Sequence, residues 1–227
     1  MSDTEPLIRR PQQRRSQESL ERVLNAGAEL LREKGYEGFT VQEVSRRANV
    51  SIGSIYARAD SKERLFIAIY EREMERMNLE SLSLQDTARR EDVSGRELVV
   101  ALVQELADNV LGNAATLRVF MHRAVVDRDL WKRGSAGLRH LSRTFESALL
   151  EHRDELAHPD PELAIDIAFR FVYDTLARRI SHGAKFESDR DLSDEELVRE
   201  LARAAADYLM GPEPAPKRPK GKARSEK

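Results

Sequence analysis

The segment from Thr40 to Lys62, TVQEVSRRANVSIGSIYARADSK, leaves little freedom in how it folds. Thr40 stands at a helix N-cap position with Glu43 three residues on, so its hydroxyl and the carboxylate are placed to satisfy each other's unpaired backbone N–H groups as a capping box. A helix is therefore expected from Val41. Val44 and Ala48 share one face of it, and Asn49, a residue that tolerates the left-handed conformation, follows where the chain must reverse. Ser51 is suited to cap a second helix, Val50 and Ile55 are placed to pack between the two, and Gly53 admits the close approach of another backbone. Two short helices joined by so tight a turn make a helix-turn-helix, whose second helix would lie in the major groove of DNA. The alternative is a plain helical hairpin inside a core; capping, turn and exposed polar face together favour the first reading.

Gly35-Tyr36, Thr40-Val41, Val44, Ala48, Val50-Ser51, Gly53-Ser54-Ile55-Tyr56, Ser61-Lys62 and Leu65 closely resemble the DNA-binding domain of TetR-type repressors over about residues 18–75. Three positions depart from that pattern: Asn49 replaces the usual turn glycine, Arg58 the usual Tyr or His, and Ala59 the Phe that follows, which removes an aromatic packing contact. The resemblance implies that Thr40, Ser54, Tyr56, Arg58 and Lys62 grip backbone phosphates, Lys62 from the first turn of a fourth helix whose amide groups also favour an anion. It implies that Ile52, Gly53 and Ala57 face the bases. None of those three side chains donates or accepts a hydrogen bond, so direct readout should be thin and limited to thymine methyl groups. Specificity must then come partly from Arg46 and Arg47 at the end of the first short helix, from Ser51, and from arginines Arg9, Arg10, Arg14 and Arg15 of an N-terminal arm suited to a narrow minor groove.

A chain of 227 residues is long enough for such a head and a second helical domain with its own core. The expected division is an Arg-rich arm over 1–16, a helix-turn-helix domain over 17–78, a helical effector-binding and dimerisation domain over 79–211, and a basic, Pro-rich tail over 212–227. Arm and tail lack the apolar residues to build a core and should be disordered. There is no cysteine, which excludes disulfides and thiolate metal sites, and the five histidines show no zinc-ligand spacing. With no apolar signal segment and no run of about 18 apolar residues, the chain should be soluble and cytoplasmic. The net charge of −2 conceals a division: +1 over residues 1–78, −7 over 79–211 and +4 over 212–227. An acidic middle is unsuited to DNA, and the weakly positive head must depend on where its basic groups point.

No strand pattern competes anywhere, so the chain reads as all-α, with an N-terminal helix-turn-helix DNA-binding domain and a C-terminal helical ligand-binding and dimerisation domain. Leu20 to Leu31 recur at helical spacing ahead of a stop at Gly35, and Leu65, Phe66, Ile69 and Tyr70 line the fourth helix as far as about Met77. After an irregular link over 80–94, apolar stripes mark helices through Leu98 to Val110, through Leu117, Phe120, Met121, Ala124 and Val125, and through Leu138 to Leu149. Pro159 and Pro161 interrupt the chain before a helix over 162–182, and Ser193 with Glu196 forms a capping box for a last helix over 194–210.

Proteins similar to the TetR type pair through their last two helices, which implies a homodimer on a palindromic operator; Ala202, Ala204, Ala205 and Ala206 would permit the close approach. The alternative is that both stripes serve only the intrachain core. The resemblance also implies a small-molecule effector held by the remaining body helices, with Phe120, His122, Trp131, His140, Phe145, Phe169, Arg170 and Tyr173 as candidate aromatic and polar walls. No Gly-rich phosphate loop, nucleophile elbow or paired-carboxylate constellation is present, so neither an enzyme nor a cofactor is indicated. An acidic run near Asp189 fails as a calcium loop because Asp194 occupies the place of the required glycine. The leading reading is a repressor released from double-stranded DNA by an effector. A ligand-independent architectural binder or activator, and a scaffold or enzyme retaining the fold, are the alternatives.

Overall fold

The computed structural model describes residues 14–80 and 93–212, which form nine α-helices and a 3-10 turn with no strand among them. The head comprises α1 (Arg14–Gly38), α2 (Val41–Ala48), α3 (Ile52–Tyr56) and α4 (Lys62–Glu80). The body comprises α5 (Gly95–Gly112), α6 (Ala114–Ala124), α7 (Arg128–Leu150), α8 (Pro161–His182) and α9 (Asp194–Met210), with the 3-10 turn at Arg153–Glu155. The arm as far as residue 13, with Arg9 and Arg10, most of the 80–94 link, and the tail from residue 213 lie outside the described residues.

In the head, α1 buries Leu20, Val23, Leu24, Leu30 and Leu31 against α2 and α4. Gly27 lets α1 cross α4 closely, since a Cβ there would come within 2.4 Å of Ile69 Cδ1. Regular helix geometry breaks at Gly35, whose φ of 66° is open mainly to glycine, and one further turn leads into α2. The start of α1 differs from expectation. It begins at Arg14, inside the segment assigned to the arm, because Ser16 and Ser19 accept hydrogen bonds from Arg58 that pin the first turns in place.

In the body, α5 runs through the centre with Leu98, Leu102, Leu106 and Val110 buried, started by a capping box between Ser94 and Glu97. Pro161 occupies the first turn of α8, where its missing N–H costs nothing, and Asp160 accepts from Leu163 N at 3.1 Å. The capping box at α9 forms as expected, with Ser193 N donating to Glu196 at 3.0 Å and Glu196 N to Ser193 at 3.2 Å. Two side chains depart from their expected places. Val125 is 84% exposed because α6 ends at Ala124 and the chain turns before the apolar stripe can include it. Of the four alanines expected to admit a second chain, Ala202, Ala205 and Ala206 are buried within this one and only Ala204 is exposed.

Head and body are joined by packing. Phe120 of α6 and Leu130 of α7 belong to the core of the head, and the Phe120 ring lies edge-on to Phe66 at 5.8 Å and to Tyr70 at 5.0 Å. A boundary at residues 78 and 79 thus separates sequence segments, whereas the packed head takes two side chains from beyond it. Polar ties reinforce the joint: Arg76 donates to Asn113 at 2.8 Å, Asn109 to the Met77 carbonyl at 3.1 Å, and Arg133 pairs with Glu71. No helix among the described residues is long and apolar enough to cross a membrane. Phe120→Ala is expected to cost about 3–5 kcal/mol of stability in chemical denaturation, the range for emptying an aromatic core site. A loss below about 1 kcal/mol would mean that the ring does not hold the joint.

Candidate nucleic-acid interface

The turn between α2 and α3 is built from short-range hydrogen bonds. Thr40 Oγ1 accepts from Glu43 N at 3.2 Å, Asn49 takes the left-handed conformation with φ 51° and ψ 50°, and Ser45 Oγ donates to the Val50 carbonyl at 2.7 Å. Ser51 Oγ then accepts from Ser54 N at 3.2 Å and starts α3. Val41, Val44, Ala48 and Ile55 face inward, and Arg22 of α1 donates to the Ala48 carbonyl at 3.3 Å. The pair of short helices is thereby fixed on the long one.

The expected box at α2 is only half formed. Glu43 leaves the Thr40 N–H and turns its carboxylate to Arg46, at 2.7 and 3.3 Å, and to Lys34 at 3.1 Å. Those hydrogen bonds, Arg46 first, hold the Glu43 carboxyl far below its ordinary range, at about 2. A charged group elsewhere on the surface outcompetes a backbone N–H for the carboxylate.

The outward face of α3 is free. Ser51, Ile52, Gly53, Ser54, Tyr56 and Ala57 are all exposed, and a Cβ built on Gly53 would meet nothing within 4 Å. The cations nominated for DNA are placed differently, since each has an intramolecular partner. Arg46 is 70% exposed on the Glu43 carboxylate, whereas Arg47 lies back on α1 with its two terminal nitrogens each 2.7 Å from Glu33. Arg47 thereby holds the Glu33 carboxyl below its usual value, and both arginines are pushed up by their carboxylates. Arg58 donates to Ser19 at 3.1 Å and to Ser16 at 2.8 Å, so it serves as a strut between α1 and the α3–α4 turn. That strut holds the junction at which Ala59, 1% exposed, supplies only a methyl group. Lys62 donates to the Tyr36 carbonyl at 3.1 Å and stands 4.3 Å from the centre of the Tyr36 ring.

Four of the candidate effector residues fall along one run of aromatic rings. Phe120 is in the head core and meets Tyr70 at 5.0 Å; Phe145 tilts against Phe169 at 5.6 Å in the body core, and the partly buried Tyr173 stacks on Phe169 at 6.0 Å. Trp131 is 58% exposed, His140 is exposed, and Arg170 is exposed on Asp166 at 2.8 Å. His122 lines a cleft beside α1. Helical periodicity marks the faces of single helices and carries no information on which of them meet.

Residues 23–69 match the family model for bacterial regulatory proteins of the tetR family. The head belongs to the tetR family. Beyond the tetR head, the body shares its fold with solved structures of low identity. One is a protein from Mesorhizobium loti assigned to the tetR-family transcriptional regulators, with TM-score 0.66 and 17% identity, covering 86% of this chain and 97% of that one. Another is the transcriptional regulator FadR from Bacillus subtilis in complex with stearoyl-CoA, at 0.59 and 16%, covering 84% and 98%. A third is the fatty acid degradation regulator FadR from Bacillus halodurans, at 0.60 and 18%, covering 83% and 94%. No curated protein matches in sequence. At such identities the likeness establishes a tetR-type fold with an N-terminal helix-turn-helix and a C-terminal helical domain.

The Glu43 cluster has a pH signature. A carboxyl whose folded value is depressed contributes stability above its unfolded value, near 4.5, and loses it as pH falls toward the folded value, about 2. An NMR titration of the Glu43 carboxyl is therefore expected to give a midpoint near 2 in wild type and one closer to 4.5 in Arg46→Ala. An ordinary midpoint in wild type would show that the three groups are not paired in solution.

Proposed function

We propose that the protein is a dimeric, sequence-specific DNA-binding transcriptional regulator of the cytoplasm, a repressor that a small-molecule effector releases from a palindromic operator. The observation that carries DNA binding is the uncovered outer face of α3, with Gly53 in its first turn open to solvent on a head that is otherwise closely packed. A helix presented in this way fits the major groove, where a side chain at the point of closest approach would hold the backbone off the bases. Thr40, Ser54 and Tyr56 are the phosphate contacts that need no rearrangement. Arg46, itself 70% exposed, joins them by leaving Glu43, and Arg47 by leaving the exposed Glu33 carboxylate, whereas Arg58 and Lys62 would have to abandon partly buried partners. Ile52, Gly53 and Ala57 face the bases with no hydrogen-bonding group, and Arg9 and Arg10 of the arm are proposed to read the adjoining minor groove.

Pairing of two heads is supported by the apolar surface left on the last two helices. Leu163 and Ile167 of α8 are 50% and 41% exposed, and Tyr208 of α9 is 38% exposed. Phe171 of α8 meets Tyr208 at 6.3 Å, so the two stripes form one surface. Effector control is supported by the FadR of the same fold, which is bound to stearoyl-CoA. A second reading, an architectural binder or activator without a ligand, draws on the apolar composition of the base-facing set.

Selection from random-sequence DNA should return a palindrome; a broad, salt-sensitive preference would favour the architectural reading, and no binding would remove DNA from the function. Gly53→Ala should leave the fold as stable as wild type or more so, by up to about 1 kcal/mol from helix propensity, while weakening DNA binding about tenfold or more. Unchanged affinity in that variant would take α3 out of the groove. Ile167→Glu should convert a dimer to monomers in sedimentation, and an unaltered dimer would place the contact elsewhere.

A further inference from the structure

A cleft of about 390 Å³ opens where the head meets α6, apart from both the recognition face and the body core. Its head wall is the end of α1 with the bend at Gly35, Tyr36 and Glu37; its body wall is α6 from Ala115 to Arg123, with Val126 beyond. Leu31, Val119 and Val126 make the apolar lining, and Arg32, Arg118, His122 and Arg123 bring cationic or titratable nitrogen to the same space. Glu37 is the one carboxylate among the lining residues, against three arginines.

The arginines are incompletely compensated. Arg118 spends Nε on the Ile180 carbonyl at 2.7 Å, and no carboxylate among the described residues pairs with it. Arg123 lies over the Tyr36 ring at 3.9 Å; its nearest carboxylate oxygen, on Asp127, is 3.6 Å away, and its Nε is closed off from solvent without a hydrogen-bond partner. Arg32 reaches only 3.6 Å from Glu73, which Arg72 already engages at 2.7 Å. A surplus of planar guanidinium groups beside an apolar lining is the chemistry that takes a carboxylate head with a short hydrocarbon body. The volume lies near the lower end of the range for small-molecule sites, about 300–1,000 Å³, which limits the guest to a few carbons.

We propose that this cleft is a binding site for a small amphipathic carboxylate, with its charge taken by Arg118 and Arg123 and its apolar part against Leu31, Val119 and Val126. The location gives the site leverage. Tyr36 carries Arg123 and Lys62 over its ring, accepts from Lys62 at its carbonyl, and stands edge-on to Phe66 at 4.9 Å. A guest that draws Arg123 away from Tyr36 loosens the contact by which α6 holds the bend between α1 and α2, and so biases the aim of α3. A carboxylate that prefers one aim changes DNA affinity by that preference. This coupling rests on the DNA-binding reading above; occupancy of the cleft does not.

The full chain is titrated with hexanoate and benzoate, against hexanamide, benzamide and inorganic phosphate, and followed by amide NMR and calorimetry. Saturable binding of at least one carboxylate is expected, about tenfold or more tighter than its amide, with shifts grouped at residues 31–37 and 115–126. Arg118→Met should weaken it about tenfold or more; so should Val126→Trp, which fills the space, keeps every arginine and alters a side chain already 74% exposed. The site is overturned if neither carboxylate saturates below about 10 mM, if the amides bind equally well, or if Val126→Trp still binds. Equal competition by phosphate also overturns it, as an adventitious ion only. DNA titrations with and without the bound carboxylate then test the coupling. Carboxylate binding with unchanged DNA affinity overturns the coupling and upholds the site, whereas carboxylate binding by a chain that binds no DNA upholds the site and removes the regulator reading.

Discussion

Phe120 reaches out of α6 into the core of the head, where Phe66 and Tyr70 meet its ring edge-on, and the placement of the head on the body depends on that contact. Edge-to-face rings attract through opposed quadrupoles and tolerate little sliding, so they set an orientation as well as an energy. Through Phe66 the contact reaches Tyr36 and the bend at Gly35, from which α2 and α3 depart. The head is therefore not tethered to the body by α4 alone. Its direction follows the position of α6, a requirement for any control of DNA binding from the body.

In the head the carboxylates are engaged by arginines and lysines of the same chain. Glu43 holds Lys34 and Arg46, Glu33 holds Arg47, and the buried Glu73 gathers Arg72 with Arg76 and Arg32 further out. The head thus offers DNA few ready cations despite its arginines, and phosphates must compete with carboxylates already in place. That competition makes affinity depend on how loosely each cation is held. Arg46 is solvent-exposed and easily re-aimed; Arg58, between two serines of α1, is part of the framework.

Much of the fold was legible in the sequence because its devices are local. Thr40, Asn49, Ser51, Pro161 and the Ser193–Glu196 box each act on backbone groups within a few residues of themselves, so their chemistry can be read from neighbours in the chain. Local chemistry does not reveal where a side chain chooses a distant partner. Glu43 turned to Lys34 and Arg46 in preference to the Thr40 N–H. Arg58 crossed to α1, a separation of 39 and 42 residues, and lengthened that helix at its start. The spacing of Ser16 and Ser19, three apart on one face, was the only available hint of it.

The sequence by itself determined most of the helices, the Ser51 and Ser193 caps and the left-handed turn at Asn49, since these follow from periodicity and short-range hydrogen bonding. Tertiary structure decided which apolar stripes meet. It sent Phe120 to the head, confined three of four alanines of α9 to the chain's own core, left Trp131, His140 and Arg170 exposed, and brought Arg118 and Arg123 to a cleft beside Tyr36. The physical reason is that burial is non-directional along the chain: an apolar side chain records that it must leave water, and only the packing of whole helices settles against what.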